Sequence, residues 1–185
     1  MNAPEPTDGR RRKGERRRRL LIEATMRVIE RDGMGAVSQR GVAQEAGVPP
    51  STVTYYFPAV DDLLVAALTA CNDDYLERLA ECAAAPDPLA QVARLISEST
   101  GARRVHVAAE YELFLMAGRR PALRPEAARW ADALDAFLAP HVADPVERAG
   151  VTAAVDGLFL RCFCAPDPPG AHEVHAVLAR LIRSG

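Results

Sequence analysis

Lysine is nearly missing from this chain of 185 residues, with Lys13 alone against 22 arginines. GC-rich coding produces that bias as readily as selection for phosphate binding does. Cysteine is scarce too. Cys71, Cys82, Cys162 and Cys164 are too few and too far apart for a disulfide framework. The C-x-C spacing of Cys162 and Cys164 would point the thiols to nearly opposite sides of a helix. All four read as reduced, mostly buried thiols of a cytoplasmic protein. No run approaches the ~20 apolar residues that a membrane span needs. The arginine-rich N-terminus lacks the apolar stretch of a secretory signal, so export is not expected. No stretch alternates with period two for long enough to suggest a sheet. G-x-S-x-G, a phosphate-cradling Walker loop, H-E-x-x-H and paired Cys motifs are all absent, and the common routes to an enzyme go with them. His172 and His175 share a helical face without an assignable third ligand, so neither a metal nor a cofactor is expected.

What is present is charge in unequal halves. The net charge is -2, yet residues 1–60 carry 11 basic and 7 acidic residues, and residues 61–185 carry 12 and 18. Arg10, Arg11, Arg12, Lys13, Arg16, Arg17, Arg18 and Arg19 place eight cations in ten positions. Such a block is a solvated tail or a nucleic-acid arm, and the rest of the chain must decide which.

Residues 1–15 hold Pro4, Pro6, Gly9 and Gly14 with little that is apolar, which predicts a disordered basic arm. From Arg16 the pattern is helical, with Leu21, Ala24, Thr25 and Val28 on one face, beside Ile22, Met26 and Ile29. Gly33 and Gly35 end that helix. Ser38 is a good N-cap for a short second helix to about Ala46, stopped by Gly47. Pro50 suits the first turn of a third, which ends near Phe57 because Pro58 cannot continue it. A long helix follows over about 61–85, carrying Leu64, Leu68, Cys71, Tyr75 and Leu79 in one stripe. Further helices are predicted at about 88–100, 103–118, 125–139, 145–164 and 172–183. The expected fold is all-α, about nine helices in all. A three-helix domain over 16–60 precedes a helical bundle over 61–185.

Residues 38–57 read SQRGVAQEAGVPPSTVTYYF: helix, glycine turn, helix. That is the pattern of a helix-turn-helix, whose second helix enters the major groove. The second helix keeps only Val53 and Phe57 as inward anchors. It offers Ser51, Thr52, Thr54, Tyr55 and Tyr56, hydroxyls and aromatics suited to base edges, thymine methyls and phosphates.

The stretch VAQEAGVPPSTVTYYFPAVDDLL, with the helix before it, resembles the DNA-binding domain of tetracycline-repressor (TetR) family regulators. Ser38, Val42, Ala43, Ala46, Gly47, Val48, Thr52, Tyr56, Phe57, Asp62 and Leu63 carry the likeness, which is strong over about residues 16–70. It implies base contacts from Gln39, Pro50, Ser51, Thr54 and Tyr55. It implies phosphate contacts from Ser38, Arg40, Thr52 and Tyr56. Two positions depart from the family pattern. Pro49 stands where a capping Ser is frequent, and Val60 where a phosphate-binding Lys is usual. The arm, with Arg10, Arg11, Arg12, Lys13 and Arg17, is expected to compensate along the backbone or in the minor groove.

The resemblance also implies a homodimer on an inverted-repeat operator, released by a small effector held in the C-terminal bundle. Ala149, Gly150, Ala153, Ala154 and Gly157, with Val174, Val177, Leu178 and Leu181, are either the dimer face or intramolecular core. Of these, Ala149, Ala153, Gly157, Val174, Leu178 and Leu181 are assigned to the interface. Tyr75, His106, Glu110, Leu113, Phe114, Met116, Trp130 and Phe159 are the candidate effector contacts, and they imply a mainly apolar ligand. His106 and Glu110 are i, i+4 neighbours that could equally form a surface pair. The competing functions are a non-specific architectural DNA-binding protein, a regulator answering only to a protein partner, and, less favoured, a small-molecule enzyme.

Overall fold

The structure, a computed structural model, describes residues 6–183 and is all-α over that range. Nine helices follow in order: α1 (Pro6–Asp32), α2 (Gln39–Glu45), α3 (Pro50–Tyr56), α4 (Val60–Ala83), α5 (Pro88–Glu98), α6 (Arg104–Met116), α7 (Arg124–Leu138), α8 (Pro145–Cys164) and α9 (Ala171–Arg183). No strand occurs among the described residues.

One expectation fails at the start. Residues 6–15, expected to be disordered, are the first turns of α1; residues 1–5 of the expected arm lie outside the described residues. The physical reason is helix continuation. Residues 16–32 are anchored by packing, so extending them backwards adds bonds without a new nucleus. Arginine is a good helix former, and the i, i+4 pairs Arg11–Glu15 (3.7 Å) and Arg19–Glu23 (3.6 Å) add to it. Composition flagged the glycines and prolines but not this support from the C-terminal side.

The caps fall where the sequence puts them. Gly33, at φ 78°, ends α1 with its N–H on Ile29 O at 2.8 Å. Ser38 Oγ accepts from Gly41 N at 3.0 Å and starts α2. Gly47, at φ 63°, makes the turn into α3. Pro49 stands at the N-cap of α3 without a side-chain acceptor, and Pro50 occupies N1. Because Pro50 has no N–H, one donor that a cap would have to satisfy is already gone. Asp62 accepts from Ala59 N at 2.8 Å and opens α4. Asp144 accepts from Val146 N and Glu147 N, both at 2.9 Å, and opens α8.

Three apolar clusters lie along the molecule. The first joins Leu21 and Ala24 of α1 to Val42 and Ala43 of α2, Val53 and Phe57 around α3, and Leu63 of α4. The second joins Met26 and Ile29 of α1 to Leu64 and Leu68 of α4, Leu113 of α6 and Leu123. The third fills the bundle, from Tyr75 and Leu79 of α4 to Trp130, Phe159, Val174 and Leu178. Helix α4 is the one element with side chains in all three. It begins at Val60, just past Pro58 at the end of the reader, and reaches Ala83 in the bundle.

Candidate nucleic-acid interface and bundle cavity

Helix α3 is too short to be stable alone and is held from beneath. Val53 is fully buried and Phe57 is 2% exposed. The Arg18 guanidinium lies over the Phe57 ring, 5.2 Å from its centroid, within cation–π range. Gly14 leaves room on the same side, where a Cβ would stand 3.8 Å from the Tyr56 hydroxyl. From α1, Arg27 and Arg31 reach Glu45 of α2 at 2.8 and 2.6 Å. Those hydrogen bonds, Arg31 first, hold the Glu45 carboxyl below its ordinary pKa. The reader is thus clipped to α1 at both short helices.

The anchors leave Ser51, Thr54 and Tyr55 exposed on the far side of α3. They sit at i, i+3 and i+4, one helical face. Tyr55 is 79% exposed and stands edge-on to Tyr56 at 5.1 Å. Its ring is therefore free to meet a partner outside the chain. Thr54 Oγ1 donates back to Ser51 O at 3.2 Å, so its lone pairs rather than its proton face outward. Pro50, Ser38 and Arg40 are exposed beside this face, and Thr52 and Tyr56 are half-buried at its edge.

Gln39 is a correction. Expected among the base contacts, it donates its amide to Phe57 O at 2.7 Å and Pro58 O at 2.8 Å. The end of α3 has carbonyls that Pro58 prevents any continuing helix from satisfying, and Gln39 satisfies them. Its donors position the reader rather than read bases.

The arm residues are also sorted by the helix. Arg10, Lys13 and Arg17 share a face at i, i+3 and i+7, alongside Gly14 and the reader. Arg12, Glu15, Arg16 and Arg19 line a groove on another side of α1.

In the bundle, Tyr75 of α4 stacks on Trp130 of α7, centroids 4.5 Å apart and planes 14° apart. Tyr111 meets Trp130 edge-on at 5.6 Å and Phe163 at 5.2 Å. Phe114 packs 5.8 Å from Trp130, and Phe159 5.8 Å from Tyr111. A cavity of about 20 Å³ opens against this cluster, walled by Tyr75, Tyr111, Trp130 and Phe159 and by the acids Asp74, Glu98 and Glu110. Arg78 and Arg103 are the cations in its wall. The Tyr111 hydroxyl donates to Asp156 Oδ1 at 3.3 Å, and burial raises the Asp156 carboxyl pKa. Burial also pushes the Tyr75 and Tyr111 phenols up, so both stay neutral.

Four of the eight expected effector contacts therefore meet at the cavity: Tyr75, Glu110, Trp130 and Phe159. Phe114 backs the box. Leu113 and Met116 do not reach it; they pack in the middle cluster against α1 and α4. His106 lies between Glu30 of α1 and Glu110. Missing from the sequence reading were Asp74, Arg78, Glu98, Ser99 and Arg103. Asp74 adjoins Tyr75, Arg78 and Arg103 stand one turn from Tyr75 and Val107, and Glu98 and Ser99 come from the end of α5, placements that mean little until the helices are docked.

The expected dimer residues divide as well. Val174 and Leu178 are wholly buried within the chain, where α9 packs on α5. A hydrophobic helical face says that something covers it, not whether that is the same chain. Ala149, Ala153 and Gly157 are exposed on α8, and Leu181 is exposed on α9. Val177, read from the sequence as part of the apolar face of α9, and Val146 and Leu160, which were not, extend this bare face.

Fold and surface together define a two-part DNA-binding regulator, a helix-turn-helix reader joined by one long helix to a separate helical bundle. Comparison with known proteins agrees. Residues 21–67 match the model of bacterial regulatory proteins of the tetR family, and residues 84–184 match the tetracyclin repressor-like C-terminal domain. The transcriptional regulator BetI of Rhizobium meliloti (strain 1021) is 31% identical over 159 residues, 78% of this chain and 77% of that one. The regulator PksA of Bacillus subtilis (strain 168) is 36% identical over 69 residues, 37% of this chain; that match spans only 34% of PksA. Among solved structures, the multidrug binding protein EbrR complexed with ethidium is 39% identical, with a TM-score of 0.77 over 89% of this chain and 98% of that one. EbrR is also solved with imidazole, malachite green and proflavin. The chain belongs to the TetR family of transcriptional regulators, which are DNA-binding proteins and not enzymes. No helix among the described residues is long and apolar enough to cross a membrane.

Proposed function

We propose that this chain is a cytoplasmic repressor, nucleoid-associated when DNA-bound, that binds an inverted-repeat operator as a homodimer and is released by a flat aromatic cation in the bundle cavity. The observation that carries the ligand class is the Tyr75–Trp130 stack beside three carboxylates. Stacked rings accept another planar ring, and their faces favour positive charge. The acids outnumber the arginines in the wall, which turns a merely apolar pocket into one that prefers cations. Ethidium, malachite green and proflavin, bound by EbrR, share that chemistry.

The cavity is small. About 20 Å³ holds roughly one water, whereas ligand pockets are typically ~300 Å³ or more. A ligand must therefore part α4 from α7, and α4 carries the reader at its other end. Release follows if the parted arrangement no longer matches the spacing of two major grooves.

For the dimer, the bare face of α8 and α9 is the support. Glycine inside a helix loses about 1 kcal/mol against alanine, yet a Cβ at Gly150 or Gly157 would meet nothing within 4 Å in this chain. Close approach by a second copy explains both. Changing Gly157 to Arg should leave the fold intact and give a monomer in sedimentation at micromolar concentration; a dimer of unchanged strength would refute this interface.

Selection of DNA from a random pool tests the operator. The enriched sequences should be inverted repeats with half-sites about one helical turn apart or slightly more, and enrichment without symmetry would contradict the dimeric reading. Tyr55→Ala should relax preference at particular base pairs by ~1–3 kcal/mol each, leaving the salt dependence as it was. Equal loss on every sequence would make Tyr55 a backbone contact instead.

A further inference from the structure

Two carboxylates of α6 meet the DNA-binding domain: Glu112 accepts from Met34 N at 3.1 Å, and Glu110 reaches it through His106. Glu110 is in the cavity wall with its side chain 8% exposed. Its Oε1 lies 3.1 Å from His106 Nε2, and His106 Nδ1 lies 2.5 Å from Glu30 Oε1. Glu30 belongs to α1, which packs under the reader. A single imidazole therefore bridges a carboxylate of the cavity and a carboxylate of the DNA-binding domain. It can donate to both only when protonated.

We propose that Glu110, His106 and Glu30 form a relay through which an occupied cavity loosens the reader. The relay rests on the cation-binding reading above. A cation in the cavity needs a counter-charge, and Glu110 is the least exposed carboxylate in the wall. As Glu110 turns toward the ligand, the imidazolium loses one of its two partners. Helix α1 then loses part of its hold on α6.

The surrounding charges do not replace that contact. Asp74 of α4 is engaged by Arg78 at 3.0 Å and Arg103 at 3.2 Å. Arg103 also stands 3.8 Å from Glu110, so the ligand competes with two cations for one carboxylate. From α1, Glu23 and Arg27 line the groove beside His106. Glu23 pairs with Arg19 at 3.6 Å and Arg27 with Glu45 at 2.8 Å.

The clamp carries a pH signature. Hydrogen bonding to Glu110, then to Glu30, raises His106 from 6.5 to about 9 against the opposing effect of burial. A group raised on folding contributes fully below its unfolded value and is lost as pH climbs through its folded one. The clamp's stabilising contribution is therefore full below about 6.5 and lost above about 9, where the neutral imidazole keeps one N–H and can donate to only one of the two carboxylates. Free of His106, Glu110 should take a cation more tightly at high pH.

The test uses malachite green as probe, with DNA selected by the wild-type protein. Quenching of Trp130 reports dye binding to the free protein, and gel shift with and without dye reports coupling. In the wild type at pH 7 the dye should weaken DNA binding about tenfold or more. Glu30→Gln and His106→Gln should bind dye at least as well as wild type. In both, coupling should drop to about twofold or less, and Glu30→Asp should restore part of it. Wild-type coupling, read here with ethidium because its quaternary charge does not titrate and corrected with an unrelated duplex for dye bound to DNA, should fall the same way through pH 9, and this part needs no variant to fold; His106→Gln should show no such step. If both variants keep full coupling, the relay is overturned and the cavity reading stands. If the wild type binds no dye, the cavity reading falls and the relay falls with it.

Discussion

Replacing Trp130 with alanine is expected to abolish tight binding of aromatic cations and to lower the melting temperature by roughly 10 °C. Trp130 is 3% exposed and touches Tyr75, Tyr111 and Phe114 at centroid distances of 4.5, 5.6 and 5.8 Å. Truncating a buried tryptophan costs about 3–5 kcal/mol, and each kcal/mol moves the melting point of a chain this size by ~2–4 °C. The ligand effect has a separate origin. Without the indole there is no second plane to stack on and no face to meet the positive charge, so the dissociation constant of malachite green, by calorimetry, should rise about a hundredfold, ~2.7 kcal/mol. A variant that is destabilised as expected yet binds dye as wild type does would place the ligand elsewhere.

The second large effect concerns the basic helix. Arg10, Lys13 and Arg17 lie on the side of α1 that carries Gly14 next to Tyr56, so they flank the exposed face of α3 proposed to read DNA. Changing these three to glutamine should weaken binding to every sequence alike. It should flatten the salt slope by about 2–3, since each neutralised phosphate contributes about 0.9. The same change at Arg12, Arg16 and Arg19, which line the other groove, should move the slope by less than about one. An extended arm could have spread all its cations along a backbone. A helix turns 100° per residue and cannot. Equal slope changes from the two triplets, measured by anisotropy of labelled DNA across a salt series, would argue against the helical presentation.

Much of this was legible because local chemistry set it. Ser38, Gly47, Pro50 and Pro58 bound the short helices where their backbone preferences put them, and Val53 and Phe57 anchor α3 as their i, i+4 spacing implied. What escaped depended on which surfaces meet. The apolar stripe of α9 read as an interface because periodicity shows a face without showing its partner, and α5 covers Val174 and Leu178. Gln39 resembled a base contact until the fold brought it to the end of α3, 18 residues away in sequence. The His106–Glu30 pair spans 76 residues, beyond any pattern of spacing. Leu113 and Met116 followed the periodicity of α6, but that helix turns one side to the cavity and another to α1 and α4.

In the proposed mechanism one ligand site in the bundle controls one DNA site in the reader. The most direct measurement is the affinity of the wild-type protein for its selected DNA with and without saturating malachite green, by gel shift, with an unrelated duplex correcting for dye bound to DNA. The expected result is a weakening of about tenfold or more on the selected sequence. An affinity for the selected DNA that is unchanged while the dye demonstrably occupies the free protein would contradict it.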